Sequence, residues 1–307
     1  MTFSALRLSL LLLASLGGLL AAADPLEFLH VTDTHVIDAR GVHPSIAAQR
    51  RHLHSAAANL QSFFDTLSAQ PPAFVLVTGD LIDGVSFQGA EGDTRAGQIE
   101  LFAKMIARGP VPVYLALGNH DVQRYTVDAA ASKPAGSDAS AAADRAAWRA
   151  AAPCFRDGTY YAFQRRAGST TYRFLVLDNG SLKDRSFAEA QWRWLEKQVR
   201  QAGDDPLIVA LHIPLDQSPA SAPIREILAR APNVALVLAG HKHSNAIEEI
   251  SLGDHAVTQV RTAIFATNPA SVRAIRLFED RIEIGATGRR GSTEHTVALH
   301  AVPALAH

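Results

Sequence analysis

Leu26-Glu27-Phe28-Leu29-His30-Val31-Thr32-Asp33-Thr34-His35 sets the reading of the chain: an apolar β-run passes directly into a carboxylate and an imidazole two residues apart. Four later runs repeat the arrangement. Phe74-Val75-Leu76-Val77 leads into Thr78-Gly79-Asp80, and Val113-Tyr114-Leu115-Ala116-Leu117 leads into Gly118-Asn119-His120-Asp121. The run 207–211 ends in His212, and the run 234–238 leads into Gly240-His241-Lys242-His243. Helical patterns lie between them, over residues 45–69 and 96–108. Another opens at the capping-box spacing Ser186-Phe187-Ala188-Glu189 and continues through Trp192, Leu195 and Val199. Continuous apolar strands alternating with helices predict an α/β layered fold with strands covered on both faces. Ligands of such sheets bind where parallel strands end, so polar residues far apart in sequence become neighbours there.

Each segment alone has an ordinary explanation, because core strands often end in Asn, Asp or Ser turns. A Gly-Asp pair carries almost no information, Asp-x-His a little, and Gly-Asn-His-Asp or Gly-His-x-His more. All five in order, each after an apolar run, exceed what turn chemistry produces. Gly79, Gly118 and Gly240 permit sharp turns and close backbone approach.

Residues 127–152 are rich in Ala, Ser and Gly with little periodicity, and read as an insertion over the site, partly helical near 139–151. Residues 159–166 and 170–178 alternate around Ala167-Gly168, which predicts a hairpin. Beyond Ser244, short alternating runs predict a closing antiparallel sheet within one domain, residues 24–307.

The 307 residues carry a formal net charge of −1, which argues against an extended basic surface, so no nucleic-acid partner is expected. Cys154 is the lone cysteine, while thirteen histidines tilt any metal site towards nitrogen and oxygen ligands. Residues 1–23 combine Arg7, an apolar run and Ala21-Ala22-Ala23, the pattern of a cleavable signal peptide. The run is short for a hydrocarbon core of ~30 Å. The expectation is an exported protein, periplasmic or secreted, with no stable membrane anchor after cleavage.

On Asp33-x-His35, Gly79-Asp80, Gly118-Asn119-His120-Asp121, His212 and Gly240-His241-x-His243, the sequence resembles the calcineurin-like metallophosphoesterase superfamily. The resemblance spans about residues 26–244 and implies a four-layer sandwich of two mixed β-sheets flanked by helices. It implies that Asp33, His35 and His243 bind one metal ion, that Asn119, His212 and His241 bind another, and that Asp80 bridges the two. It also implies that His120 faces the substrate, stabilising charge or protonating the leaving group. Asp83 stands where the purple acid phosphatase branch carries tyrosine, a departure from that branch.

The chemistry of the residues agrees with this allocation. Imidazoles with carboxylates suit two divalent ions such as Mn, Fe, Zn or Co. A carboxylate-bridged pair clamps phosphate oxygens and generates a metal-bound hydroxide near neutral pH to attack phosphorus in line. Asp121 reads either as the carboxylate holding the far nitrogen of His120 or as a helix cap.

Other polar residues have plainer readings. His30 is a core histidine, His43 loop surface, and His52 and His54 one exposed and one partly buried helix positions. His255, His295, His300 and His307 fall outside the pattern, and Lys242 points away from the metals by alternation. Asp83 reads as a turn cap with some claim to a place behind the ligands. Arg40, Ser86, Phe87, Arg124, Tyr125, Asn179 and Asn245 fall where a substrate rim would lie. Trp192 and Trp194 read as helix packing.

The expected activity is hydrolysis of a small-molecule phosphate ester, favouring a phosphodiester or nucleotide-type substrate. The motif Gly79-Asp80-Leu81-Ile82-Asp83-Gly84 is similar to the phosphodiesterase and diphosphohydrolase branches. The alternatives are a phosphomonoesterase, or an inactive metal-binding or interaction protein of the cell envelope. The presence of His120 counts against inactivity, because metal binding alone does not need it.

Overall fold

Four of the five apolar runs lie inside two sheets, and the run 113–117 forms the edge of one. The computed structural model describes residues 24–128, 133–180, 188–216 and 221–299. In chain order the first half contains β1 (Leu26–Val31), α1 (Pro44–Gln49), α2 (Ala56–Leu67), β2 (Val75–Thr78), β3 (Ser86–Gln88), β4 (Thr94–Arg95), α3 (Gln98–Ile106), β5 (Val113–Ala116), β6 (Arg124–Asp128), β7 (Lys133–Ser137) and α4 (Ala141–Ala151). Then come β8 (Tyr161–Ala167), β9 (Thr170–Val176), α5 (Glu189–Ala202), β10 (Leu207–Ala210), α6 (Ala222–Leu228) and β11 (Val234–Ala239). The chain closes with β12 (Ala246–Leu252), β13 (His255–Arg261), β14 (Arg273–Leu277), β15 (Arg281–Ile284) and β16 (His295–Ala298).

One sheet has the order β16-β15-β14-β1-β2-β5 and the other β12-β13-β11-β10-β9-β8. Both are mixed: β1, β2 and β5 run parallel, as do β9, β10, β11 and β13, with antiparallel strands outside them. Successive strand residues face opposite sides, and in β1 both sides are buried. Phe28 points between the sheets, stacking on Phe74 at 4.7 Å and meeting Phe174 edge-on at 5.5 Å. Leu29 and Val31 point the other way, into a core shared with Leu60 and Phe64 of α2 and Phe102 of α3. Across the sandwich, Val209 and Val237 pack against Leu195 of α5 and Ile224 and Leu228 of α6. The result is the four-layer sandwich that the resemblance implied. The β8–β9 hairpin and the antiparallel closing strands also form as predicted.

Three features differ from the sequence expectations. The helix over 45–69 is broken by a 3-10 turn at Arg51–Leu53. Ile46 of α1 packs with Val42, Leu53 and Phe87 in one cluster, whereas Leu60, Phe63 and Phe64 of α2 face the first sheet. One straight helix cannot aim its stripe at both, so the break re-phases it. His52 and His54 are consequently both exposed. Secondly, a small sheet of order β4-β3-β6-β7 lies beside the first helical layer, with strands too short to show alternation in the sequence. Thirdly, residues 133–152 are more than a loose cover. Trp148 of α4 is fully buried, 5.8 Å from Phe102 and 6.3 Å from Phe155, and its indole N–H donates to Asp121 O at 2.8 Å. A single large anchor among alanines leaves little periodic signal.

Residues 1–23, Ser186 and Phe187 of the capping box, and His300 and His307 lie outside the described residues. Among those described, no helix is long and apolar enough to cross a membrane. Because Trp148 joins α4 to the first helical layer, Trp148→Ala is expected to cost about 3–5 kcal/mol, read as a lowered urea midpoint. Trp148→Phe should cost distinctly less.

Candidate metal centre

The exits of β1 and β2 run side by side. Asp33 N–H donates to Gly79 O at 3.0 Å, His35 N–H to Asp80 O at 2.8 Å and Val36 N–H to Leu81 O at 3.0 Å. On the second sheet, Gly240 N–H donates to His212 O at 2.9 Å. Within these loops the backbone is strained. Among the described residues, the non-glycines with positive φ are Asp33 (53°), His35 (39°), Asp80 (48°), His241 (68°) and His243 (54°). Each costs about 1–3 kcal/mol and persists only where the surroundings enforce it. All five belong to the expected ligand set.

The motif glycines make this crowding possible. Gly79 has a φ of 84°, and a Cβ there would lie 2.6 Å from the His212 ring. Gly118 and Gly240 need room and not a left-handed backbone: a Cβ would strike Asp80 in the first case and Thr32 and Asp33 in the second.

Three groups of donor atoms result among the described residues, each within 4.8 Å: Asp33, His35, Asp80 and His243; Asp80, His212 and His241; and His35, Asp83 and His120. Asp80 is common to the first two. Its Oδ1 accepts from His120 N–H at 2.8 Å, while Oδ2 lies 3.1 Å from His212 Nε2 and 3.7 Å from His35 Nε2. Asp33 is arranged alike: Oδ2 accepts from His241 N–H at 3.0 Å, and Oδ1 lies 3.1 Å from His243 Nε2. One oxygen of each carboxylate is therefore held by backbone and the other turned towards imidazoles. Asn119 lies between Gly118, packed on Asp80, and His120, bonded to it.

These residues fit divalent cations. Asp33 Oδ1, both ring nitrogens of His35 and Asn119 Oδ1 are buried without a hydrogen bond. Unpaired buried polar atoms are rare and costly, and here they converge. His212 Nδ1 lies 2.8 Å from Thr78 O, which can only accept, so its proton sits there and Nε2 is left for a cation. Burial opposes a charged His212 ring, yet Asp80 outweighs it and raises the pKa to about 9. Burial likewise opposes a charged His35, but the surrounding carboxylates of Asp33, Asp83 and Asp80 hold it well above the usual range. The cluster thus attracts positive charge, and proton and metal compete for it.

His120 takes a different partner from the one expected. Its Nδ1 lies 2.8 Å from Asp83 O and 3.1 Å from the Tyr125 hydroxyl, with Asp83 Oδ1 at 3.5 Å. Asp121, expected on the far nitrogen of His120, instead accepts from Gly118 N–H at 2.7 Å and Ile82 N–H at 3.0 Å. It clamps the exits of β5 and β2 together. Burial, reinforced by the charge of Asp80, raises its pKa to about 7.

Asp83 thus matters more than a turn cap would. It faces His35 and His120 at 3.5 Å and pairs with Arg50 at 2.7 Å. The only sequence sign was its place three residues after Asp80. Among the rim candidates, Asn179 is buried and holds the exit of β10, accepting from His212 and Ile213 N–H at 3.2 Å. Arg124 pairs with buried Asp144, and Arg40 is an exposed partner of Asp38. Ser86 and Phe87 are buried, and Asn245 accepts from Ala263 N–H. Lys242 is exposed between its two histidine neighbours. His43 caps α1, while His30, as read, is a satisfied core residue between the hydroxyls of Thr78 at 2.8 Å and Thr262 at 2.9 Å.

The sequence model of the calcineurin-like phosphoesterase family matches residues 26–245. The chain belongs to that family. It is accordingly a metallophosphoesterase, a hydrolase whose His/Asp clusters suit divalent metal ions. No curated protein sequence matches it. Solved structures share the fold at low identity. A dimetal phosphatase from Danio rerio superposes with a TM-score of 0.62 at 14% identity, covering 90% of this chain and 100% of that one. Purple acid phosphatase PPD1 from yellow lupin gives 0.53 at 13%, covering 89% of this chain and 53% of that one. GAP50, the anchor in the inner membrane complex of Plasmodium, gives 0.52 at 12%, covering 90% and 89%.

Two outcomes follow for this phosphoesterase. Gly240→Ala should push Thr32 and Asp33 out of place and lower bound metal, measured by elemental analysis, with the fold retained by circular dichroism. His30 gives a pH effect. Burial, aided by the Arg273 charge, lowers its pKa from 6.5 to about 3, so the unfolded chain takes the proton first. Its contribution is complete above pH 6.5 and is lost as pH falls towards 3, by about 2 kcal/mol at pH 5. His30→Gln should flatten the fall in urea midpoint between neutral pH and pH 5.

Proposed function

We propose that this phosphoesterase hydrolyses a small phosphodiester or nucleotide-type ester. Asp33, His35, Asp80, Asn119, His212, His241 and His243 would hold two divalent cations drawn from Mn, Fe, Zn and Co. The observation that carries the reading is that every strained non-glycine among the described residues is one of these ligands. Strain of this kind clusters where function over-determines the backbone. When bound, the cations supply Lewis-acid polarisation of phosphate oxygens and activation of water.

The chain's own residues do the rest. Backbone N–H groups of His120 and His241 fix the carboxylates of Asp80 and Asp33. Asp83 O requires a proton on His120 Nδ1, so Nε2 is the nitrogen that would take up a second proton and pass it to the departing oxygen. A diester is supported by charge. Arg50, Arg124 and Arg145 are each paired with a buried carboxylate, on Asp83, Asp144 and Asp178, and so are not left to balance the second charge of a monoester. The net charge of −1 goes with a small substrate in preference to nucleic acid. Arg7, the apolar run after it and Ala21-Ala22-Ala23 support export to a periplasm or the exterior.

Metal-reconstituted protein should hydrolyse bis-(4-nitrophenyl) phosphate faster than the matched monoester. Asp80→Ala should lower turnover on the order of a thousandfold, since two donor groups share that carboxylate. Equal inactivity of wild type and Asp80→Ala with all four metals would falsify hydrolysis. A monoester preference would replace the diester reading with a phosphomonoesterase.

A further inference from the structure

Tyr125 of β6 is buried, and four neighbours hold its ring. Phe87 stacks on it with centroids 5.7 Å apart, and the Arg50 guanidinium lies 4.3 Å from the centroid. Gly84 and Gly136 leave the ring its space, since a Cβ would sit 2.8 Å from it at the first and 3.2 Å at the second. Arg50 is fixed in turn by Asp83 at 2.7 Å. A side chain so constrained keeps one rotamer.

The hydroxyl then has two partners. It donates to Gln123 Oε1 at 2.5 Å and lies 3.1 Å from His120 Nδ1. Gln123 Oε1 can only accept, so the single phenolic proton is committed to it, and the phenolic oxygen offers His120 a lone pair. Asp83 O, at 2.8 Å from the same nitrogen, also only accepts. Both neighbours therefore demand N–H at Nδ1, and they approach it from different elements. We propose that Tyr125, aligned by Gln123, is a positioning residue for His120. It shares the Nδ1 proton with Asp83 O, fixes the ring's rotamer, and keeps Nε2 aimed as the nitrogen that exchanges protons.

This inference rests on the donor role of His120 given above. To donate, the ring enters the step with protons on both nitrogens. As the water oxygen forms the new bond to phosphorus, the bond to the leaving oxygen breaks, its electron pair stays on that oxygen, and that oxygen takes the proton from Nε2. The proton lost by the water passes to solvent, and the ring takes one back from solvent before the next turnover. A ring free to rotate would miss this alignment, and the loss would be greatest for the most basic leaving oxygen.

The test uses metal-loaded full chain and diesters with 4-nitrophenyl and phenyl leaving groups. Tyr125→Phe keeps the ring and should lower kcat about tenfold for the phenyl ester and under about threefold for the nitrophenyl ester. KM and metal content should stay at wild-type values. Gln123→Leu should behave alike, and Gln123→Glu, which retains an acceptor, should restore the phenyl-ester rate. An equal loss on both esters, or a shift in KM or metal content, would reduce Tyr125 to packing and overturn the proposal. A readout without turnover separates this from the role of His120. Histidine ¹⁵N NMR should show the His120 Nδ1–H resonance shifted, and exchanging faster with water, in Tyr125→Phe, because one of its two acceptors is gone while Asp83 O keeps the proton on that nitrogen. An unchanged resonance overturns the proposal whatever His120 does. If His120→Asn fails to steepen the leaving-group dependence while the resonance still changes, the donor role falls and the positioning contact stands.

Discussion

A carboxylate at Asp80 has to be buried, ionised and shared by two groups of donor side chains at once. Burying an unpaired carboxylate costs several kcal/mol, so its surroundings must return that energy. One oxygen receives the His120 backbone N–H, and the other faces the rings of His35 and His212. The rest of the centre follows from supplying those partners in so small a volume. Gly79 and Gly118 lack side chains so that His212 and Asp80 can approach, and the flanking ligands accept left-handed backbone to reach the same point.

The partners of Asp80 come from both halves of the sandwich. The first sheet delivers Asp33, His35, Asp80, Asn119 and His120 at the ends of β1, β2 and β5. The second delivers His212, His241 and His243 at the ends of β10 and β11. Divalent ions there would join the two sheets, coupling metal affinity to stability of the sandwich. An aromatic core led by Phe28, Phe74 and Phe174 packs the two sheets together and holds the strands that lead to the centre. Fold alone does not select catalysis: comparable superpositions relate this chain to a phosphatase and to a protein described as an anchor. The centre here gathers buried, unpaired donor atoms beside a His120 ring bonded at Nδ1.

Much of the site was legible because each ligand follows an apolar strand, and parallel strands bring their ends together whatever lies between. The readings that changed share a physical cause. Asp121 follows His120 directly in sequence, yet the 3-10 turn at His120–Val122 carries its carboxylate back to the amides of Gly118 and Ile82. The partners His120 does have, Asp83 and Tyr125, lie in segments without periodicity, one of them a strand of the small third sheet. Trp148 escaped notice because one large residue among alanines makes no stripe. Asn179 looked like rim because it ends a strand, but its amide is spent on His212 and Ile213.

The sequence by itself determined the α/β layering, the position of the crevice and the residue types gathered in it, since hydrophobic period and strand-exit chemistry are local properties written along the chain. Only the tertiary structure decided which oxygen of each carboxylate is free, which nitrogen of each imidazole carries its proton, and which carboxylate stands behind His120. Those depend on contacts between segments tens to hundreds of residues apart, where a difference of one hydrogen bond is invisible to composition or spacing. The seven candidate ligand positions could be read from strand ends. The arrangement that gathers them, five of them on left-handed backbone, could not.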